Sequence, residues 1–149
     1  MRFVNIRARV SIMTRIRSYH ELLDYETFED RFEYLRLNGA VGEITFGSKR
    51  HINQSFYTSR EWKRIRDLVV IRDNGCDLGV DGYAIQGALV IHHINPISAD
   101  DIVHRHEWVV DPNNLIVTTK ATHNAIHYGD SSLLRVPYQE RIPGDTRLW

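Results

Sequence analysis

Apolar runs and helical spacings divide the second half of the chain into predicted strands and a helix. The β-branched and apolar runs at 88–94 and 115–119 each predict a strand, and the turn residues of 111–114 precede the second strand. Residues 122–129 predict a short helix that Gly129 closes. The predicted order across this segment is therefore strand, long loop, strand and helix.

Helical spacing also predicts a helix near the amino end. Ser18 and Glu21 have the spacing of a capping box, and apolar residues then follow at helical intervals until Gly39 ends the element. The apolar residues expected in the core are Phe28, Phe32 and Leu35. The segment 41–46 fits either a short strand or a loop.

A second helix is predicted from about residue 59 to residue 71, because Thr58 and Ser59 can cap its first turn. Apolar residues repeat on one face of this helix, at Trp62, Ile65 and Val69. Its other positions are strongly basic, with Arg60, Lys63, Arg64 and Arg66. These four residues either contact DNA phosphates or form an ordinary solvated helix face, and the sequence leaves both interpretations open.

Five polar side chains occupy these elements at spacings that can hold one metal ion and one catalytic base: His92, His93, Asn114, His123 and His127. His92 and His93 are neighbours on a strand, so they face opposite sides and cannot share a role. His123 and His127 are four residues apart on a helix, so they lie on one face and can bind the same ion.

The order His-His, Asn-Leu and His-x-x-x-His on a strand, a strand and a helix resembles the HNH endonucleases, also called ββα-metal or His-Me finger nucleases. It is similar to their colicin-type variant, in which His92 stands where many members have aspartate. Residues 56–67, 72–79 and 143–149 are similar to bacteriophage HNH proteins. Cys76 is the only cysteine, which excludes the paired-cysteine zinc sites of many members.

The resemblance implies an α+β fold whose ββα-metal core is a two-stranded antiparallel hairpin plus a helix, with additional helices on its amino-terminal side. It implies that His93 is the catalytic base and that His92, His123 and His127 bind one divalent metal ion. Asn114 would pin the loop or orient His93. Mg²⁺ or Mn²⁺ is the expected ion, although three imidazoles would also bind Ni²⁺ or Zn²⁺ tightly.

The activity implied by the resemblance is hydrolysis of double-stranded DNA to products with 3′-hydroxyl and 5′-phosphate ends. A phage-encoded enzyme of this kind would act beside the terminase in DNA packaging, or as a homing endonuclease. Two alternatives stay open. One is a catalytically silent DNA-binding accessory protein, and the other is a terminase-interacting protein whose metal site is structural.

Length and composition fit a single nuclease domain, since the chain has 149 residues of which 42% are hydrophobic. The expected parts are a lead-in at 1–17, a helical part with the basic helix at 18–75, the ββα-metal core at 76–129 and a C-terminal strap at 130–149. Met13 is an alternative start, so the lead-in is treated as dispensable.

The distribution of charge is more informative than its total. Nineteen Lys and Arg residues balance nineteen Asp and Glu residues, so net charge alone does not indicate nucleic-acid binding. Residues 49–72, however, contain seven basic and two acidic residues, and this segment adjoins the histidine motif. No run of residues suits a membrane span or a signal peptide, which together with the single cysteine predicts a cytoplasmic protein, in the bacterial host if phage-encoded.

The other candidates receive ordinary structural interpretations. Four histidines are expected to be core or surface residues, namely His20, His51, His104 and His106. Of these, His104 and His106 lie in the long loop and could touch DNA. Asp100 and Asp101 are expected to face solvent, and Cys76 is expected to be a small packed residue rather than a nucleophile.

Overall fold

The computed structural model describes residues 16–37, 39 and 50–135. These residues mix six α-helices with a two-stranded antiparallel sheet, in agreement with the predicted α+β class. Within the same ranges, no helix is both long enough and apolar enough to cross a membrane. The predictions for most of the lead-in, for 41–46 and for most of the C-terminal strap fall outside the described residues.

The helices and strands follow the predicted order in the second half of the chain. The helices are α1 (Tyr19–Leu22), α2 (Phe28–Leu35), α3 (Arg50–Thr58), α4 (Arg60–Arg72), α5 (Ala99–Val103) and α6 (Lys120–Tyr128). The strands are β1 (Val90–His93) and β2 (Leu115–Thr118). Short 3-10 helices occur at Asp77–Gly79, Glu107–Val109, Pro112–Asn114 and Ser131–Leu133.

The first predicted helix is wrong in extent, because the structure divides it into α1 and α2. Ser18 does cap α1, with its hydroxyl accepting a bond from the Glu21 backbone N–H at 3.2 Å. The Glu21 carboxylate does not close the box; it accepts from the hydroxyl of Tyr34 at 2.7 Å. A new cap at Thr27 then starts α2, which ends at Leu35 rather than at Gly39.

Helix α4 agrees closely with the prediction and begins after Ser59, whose hydroxyl accepts from the Trp62 N–H. Helix α3 was not predicted, although Ile52 and Phe56 have helical spacing within it. The segment between the strands, interpreted from the sequence as a long loop, contains α5, which Ser98 and Asp101 stabilise with a capping box.

The sheet separates two apolar clusters. β1 and β2 pair antiparallel, with His92 opposite Ile116 and His93 opposite Leu115. Ile116 belongs to a core cluster with residues of α2 and α6, whereas Leu115 belongs to a cluster with Trp62 and Val69 of α4. Because side chains alternate along a strand, the two neighbouring histidines are directed to these two different sides.

Two charged neighbours at the end of α4 hold β2 in place. The buried carboxylate of Asp73 accepts from the Val117 backbone N–H at 2.9 Å and from Arg72 Nε at 2.8 Å. Arg72 also donates to the carbonyl oxygens of Pro112 and Leu115 and lies over the ring of Tyr19. Both ends of this ion pair therefore bond to the backbone of the strand or of the turn before it.

Gly129 ends α6 in the left-handed conformation, with φ at 65°. A Cβ at this position would meet the carbonyl oxygen of Leu37, whose N–H donates to the Ile126 carbonyl at 2.9 Å. The close approach lets the chain after α2 pack against the end of α6. Gly75 has a similar φ of 62°, but a Cβ there would meet no atom of the described residues within 4 Å.

Gly129→Ala is therefore expected to destabilise the protein more than the matched Gly75→Ala variant. Both substitutions cost about 1–2 kcal/mol because alanine is strained at positive φ. Only Gly129→Ala adds a clash with backbone, which should raise its cost by at least about 1 kcal/mol. Urea unfolding of both variants measures the difference, and equal free energies of unfolding would contradict the packing described here.

Candidate metal centre

Three imidazoles converge where β1 meets α6. His92 comes from the strand, and His123 and His127 come from successive turns of the helix. The ring centroid of His92 lies 5.3 Å from that of His123 and 5.1 Å from that of His127. One ring nitrogen from each residue can be chosen so that all three lie within 4.8 Å of one another. This is close enough for the three residues to hold one metal ion.

The buried ring nitrogens of this cluster lack protein partners. His92 is 1% exposed, and neither its Nδ1 nor its Nε2 has a hydrogen-bond partner within the described part of the chain. His127 Nδ1 is also buried without a partner there, and His127 Nε2 lies 3.2 Å from His123 Nε2. An unsatisfied buried polar atom is costly, and coordination of a metal ion by one ring nitrogen of His92 would remove that cost at that atom.

The protonation of the three histidines suits metal binding. Burial, followed by the charges of His123 and His127, holds the pKa of His92 well below its usual value of 6.5. Burial also lowers the pKa of His123 and brings the pKa of His127 to about 4. All three rings are therefore neutral at neutral pH and offer lone pairs, as metal-binding imidazoles must.

Asp77 fixes the start of the helix that carries two of these histidines. Its buried carboxylate accepts bonds from the Thr119 N–H, from the Thr119 hydroxyl and, at 2.6 Å, from the Thr122 hydroxyl. Burial is the largest influence on its pKa and raises it, although these hydrogen bonds act in the opposite direction. Thr119 in turn caps α6 by accepting from the Thr122 N–H, immediately before His123.

His93 lies on the opposite side of β1 from His92. Its Nε2 is 2.9 Å from the carbonyl oxygen of Val109. Since a carbonyl oxygen only accepts, Nε2 carries the proton and Nδ1 keeps its lone pair. The ring stacks on Trp62, with centroids 5.6 Å apart and planes 18° apart. Burial lowers the pKa of His93 to about 4, so the ring is neutral at neutral pH.

Asn114 is buried and holds the loop between the strands. Its Oδ1 accepts from the backbone N–H and from the side-chain amide of Asn95, at 2.8 and 2.7 Å. Its Nδ2 donates to the carbonyl oxygen of Trp108 at 3.0 Å. It makes these loop contacts rather than a hydrogen bond to His93. Because Trp108 precedes Val109, Asn114 still influences the position of the carbonyl that orients His93.

The four basic candidates lie on α4, but they are not equivalent. Arg60, Lys63 and Arg64 are exposed, whereas Arg66 is half-buried and lies 3.7 Å from the carboxylate of Asp67. Trp62 of the same helix points inward to His93. Helix α4 therefore presents basic side chains to solvent on one face and contacts His93 through Trp62 on another.

The remaining candidates lie outside the three-histidine cluster. His104 Nδ1 bonds to the Asp100 carbonyl, and His106 Nε2 lies 3.8 Å from the Asp101 carboxylate. Asp100 is exposed as expected, whereas Asp101 is half-buried and engaged in the cap of α5, which corrects the expectation of a solvent-facing side chain. Cys76 is buried, and burial raises the pKa of its thiol. Both observations agree with the expectation of a packed residue rather than a nucleophile.

Three contributors to the site were not identified from the sequence. Asp77 was not singled out, Trp62 was interpreted only as part of the apolar face of its helix, and Val109 fell in the long loop between the strands. A single acidic residue between Cys76 and Leu78 was a usable signal for a buried anchor. No sequence pattern marks the Val109 carbonyl as the partner of His93, because every residue has a carbonyl and only the fold determines which one lies beside the imidazole.

Comparison with protein-family models, with curated proteins and with solved structures finds no match to this chain. The case for a function therefore depends on the geometry and chemistry of these residues.

The free energy of unfolding of the metal-free protein is expected to fall as the pH falls from 7 to 5. The unfolded histidines have a pKa near 6.5 and the native ones are lower, with His93 and His127 at about 4. The unfolded state therefore binds more protons in this window, which favours unfolding at low pH. A loss of more than about 1 kcal/mol should appear in urea unfolding with EDTA.

A His92→Leu variant provides the matched comparison, because it removes one buried titrating ring and fills its place with an apolar side chain. Its free energy of unfolding should depend less steeply on pH than that of the original protein. A pH-independent stability in the original protein between pH 7 and 5 would show that the histidines are not neutral and buried as described.

Proposed function

We propose that the protein is a metal-dependent HNH endonuclease that hydrolyses DNA phosphodiester bonds. The observation that carries the proposal is a cluster of three neutral imidazoles, with a fourth imidazole on the other side of the same strand. The order of β1, β2 and α6, with α6 packed on both strands, supports assignment of this unit as a ββα-metal core.

His92, His123 and His127 would hold one divalent ion in the proposed enzyme. Such an ion would polarise the phosphate and stabilise the negative charge of the departing oxygen. Mg²⁺ and Mn²⁺ are the proposed working ions. Imidazole nitrogens prefer softer ions than Mg²⁺, so Ni²⁺ or Zn²⁺ should bind these three residues more tightly.

His93 would act as the general base. Its Nε2 proton is directed at the Val109 carbonyl, so its Nδ1 is the atom that can accept a proton from the attacking water. As the water oxygen bonds to phosphorus, its proton passes to Nδ1 and the bond from phosphorus to the departing oxygen breaks. The stack on Trp62 restricts rotation of the ring and keeps Nδ1 in one orientation.

The proposed substrate is double-stranded DNA, and the exposed basic side chains of α4 support this choice. Arg60, Lys63 and Arg64 can neutralise DNA phosphates. They lie on the same helix as Trp62, which stacks on His93. In the proposed biology the protein is phage-encoded and works in the host cytoplasm, in terminase-associated DNA packaging or in homing. Asn114 would contribute by pinning the loop that carries Val109.

Replacement of single histidines should separate the base from the metal ligands. His93→Ala is expected to lower plasmid cleavage by about 10²–10⁴-fold while leaving metal affinity nearly unchanged. His123→Ala or His127→Ala should weaken both cleavage and metal affinity, the latter by more than about 100-fold. Supercoiled plasmid with Mg²⁺, Mn²⁺, Ni²⁺, Zn²⁺ or EDTA measures cleavage, and calorimetric titration with Ni²⁺ measures affinity.

His104→Ala is the matched control, because His104 is an exposed histidine outside the cluster. It should change neither cleavage nor metal affinity. Equal loss of metal affinity in all three site variants would contradict the division of roles. A folded protein that cuts no plasmid with any metal would instead support a catalytically silent accessory protein.

The basic face of α4 should determine the salt dependence of DNA binding. The double variant Arg60→Ala/Arg64→Ala is expected to reduce the slope of log affinity against log salt by about 2, at about 0.9 per lost phosphate contact. Fluorescence anisotropy in EDTA measures binding without cleavage. Arg36→Ala removes the exposed arginine that directly follows α2 and is paired with Glu33, and it should leave the slope unchanged.

A further inference from the structure

A cavity of about 400 Å³ lies between α3, α5 and the start of α4, apart from the three-histidine cluster. Its volume is typical of sites that bind small organic groups, which span roughly 300–1,000 Å³. The apolar residues that line it are buried or half-buried: Ile52, Phe56, Ile102, Val109 and Val110. They form an apolar interior large enough for a flat ring.

The rim of the cavity is polar. Arg105 and His106 are exposed and line it. Ser59 and Glu61, from the start of α4, line it as well. An apolar interior beside an arginine fits a ligand with a flat ring and an anionic group. A nucleotide has this combination.

Glu61 adds a preference among the bases. A carboxylate only accepts hydrogen bonds, so it favours a ring edge that presents N–H donors. Guanine presents two adjacent donors, at N1 and at the exocyclic amine, and can bond to both carboxylate oxygens. Among the described residues that line the cavity, Glu61 is the one with a carboxylate.

The backbone at Arg105 ends α5: its N–H donates to the Ile102 carbonyl and the His106 N–H donates to the Asp101 carbonyl, the pattern in which a left-handed residue terminates a helix. Arg105 has a φ of 52°, in the left-handed region that favours glycine. An arginine there is strained, and its side chain is exposed at the rim of the cavity. Glycine at this position would relieve the strain and remove the positive charge at the same time.

The cavity is also close to the proposed base. Val109 lines the cavity, and its carbonyl oxygen accepts the Nε2 proton of His93. Phe56 lines it as well, and its ring centroid lies 5.3 Å from that of Trp62, which stacks on His93. A group bound in the cavity would thus contact two of the residues that surround the imidazole.

We propose that this cavity binds an unstacked base of the nucleic-acid strand, with guanine preferred and with its phosphate at Arg105. Placement of the base in a substrate strand depends on the proposed nuclease function, whereas nucleotide binding itself requires no metal and no cleavage. Extrusion of a base into a protein pocket costs stacking free energy, and this cost is least in single strands, so the cavity should take up a base from single-stranded DNA more readily than a base from a duplex.

The direct test is a methyl NMR titration of the full chain in EDTA with GMP, AMP, CMP, TMP and inorganic phosphate. GMP is expected to shift the methyl signals of Ile52, Ile102, Val109 and Val110, and the other nucleotides should do so more weakly. Equal shifts with inorganic phosphate would show an anion site only, and would overturn the proposal. The absence of any nucleotide-induced shift at these methyls would overturn it as well.

Arg105→Gly separates binding from folding. Its free energy of unfolding should equal or exceed that of the original protein, because strain is relieved, while its affinity for GMP should fall at least tenfold. A loss of stability without a loss of affinity would overturn the role assigned to Arg105.

An eight-residue single strand with one guanine, compared with the same strand abasic at that position, tests whether the base binds as part of a strand.

A pair of tryptophan substitutions connects the cavity with cleavage. Ser55→Trp places a large ring at the rim, whereas Gln54→Trp adds the same ring to a neighbouring exposed position that does not line the cavity. Only Ser55→Trp should block the GMP-induced shifts and reduce plasmid nicking at least tenfold. Plasmid nicking by the original protein without GMP-induced shifts would refute the cavity proposal alone. GMP-induced shifts without nicking in any metal would refute the nuclease proposal alone.

Discussion

The pairing of β1 with β2 is the constraint on which the site depends. The register that sets His92 opposite Ile116 also sets His93 opposite Leu115, so one short ladder assigns the two histidines to different sides. A slip by a single residue would exchange those sides and would place His93 against α6. The buried ion pair at Arg72 and Asp73 opposes such a slip, because both partners bond to backbone atoms of β2.

Buried polar groups, rather than apolar packing alone, set the distances within the site. Asp77 fixes the first turn of α6, and Asn114 fixes the loop that precedes β2. Apolar side chains would fill the same volumes but would tolerate small rotations, whereas a satisfied hydrogen bond permits few geometries. The protein thus combines a small apolar core on each side of the sheet with buried polar anchors next to the sheet.

The sequence was informative where chemistry and local spacing coincide. Both strands, α4, α6 and the shared face of His123 and His127 follow from residue type and periodicity, whereas the grouping of His92 with these two came from the family resemblance. The division of the first helix did not, because Thr27 offers a second cap whose use depends on packing. The loop contacts of Asn114 and the carbonyl partner of His93 depend on which atoms the finished fold brings together, so no local pattern encodes them.

The main-chain partner of His93 has a consequence for how this protein can vary. A carbonyl oxygen is present whatever side chain occupies position 109, so the bond itself places no demand on residue identity. It does demand that the chain between β1 and β2 deliver that carbonyl to the same point. Substitutions in this segment can therefore preserve the orientation of the imidazole. An insertion or deletion of even one residue would instead place a different carbonyl oxygen at His93 Nε2, or leave that atom without a carbonyl partner.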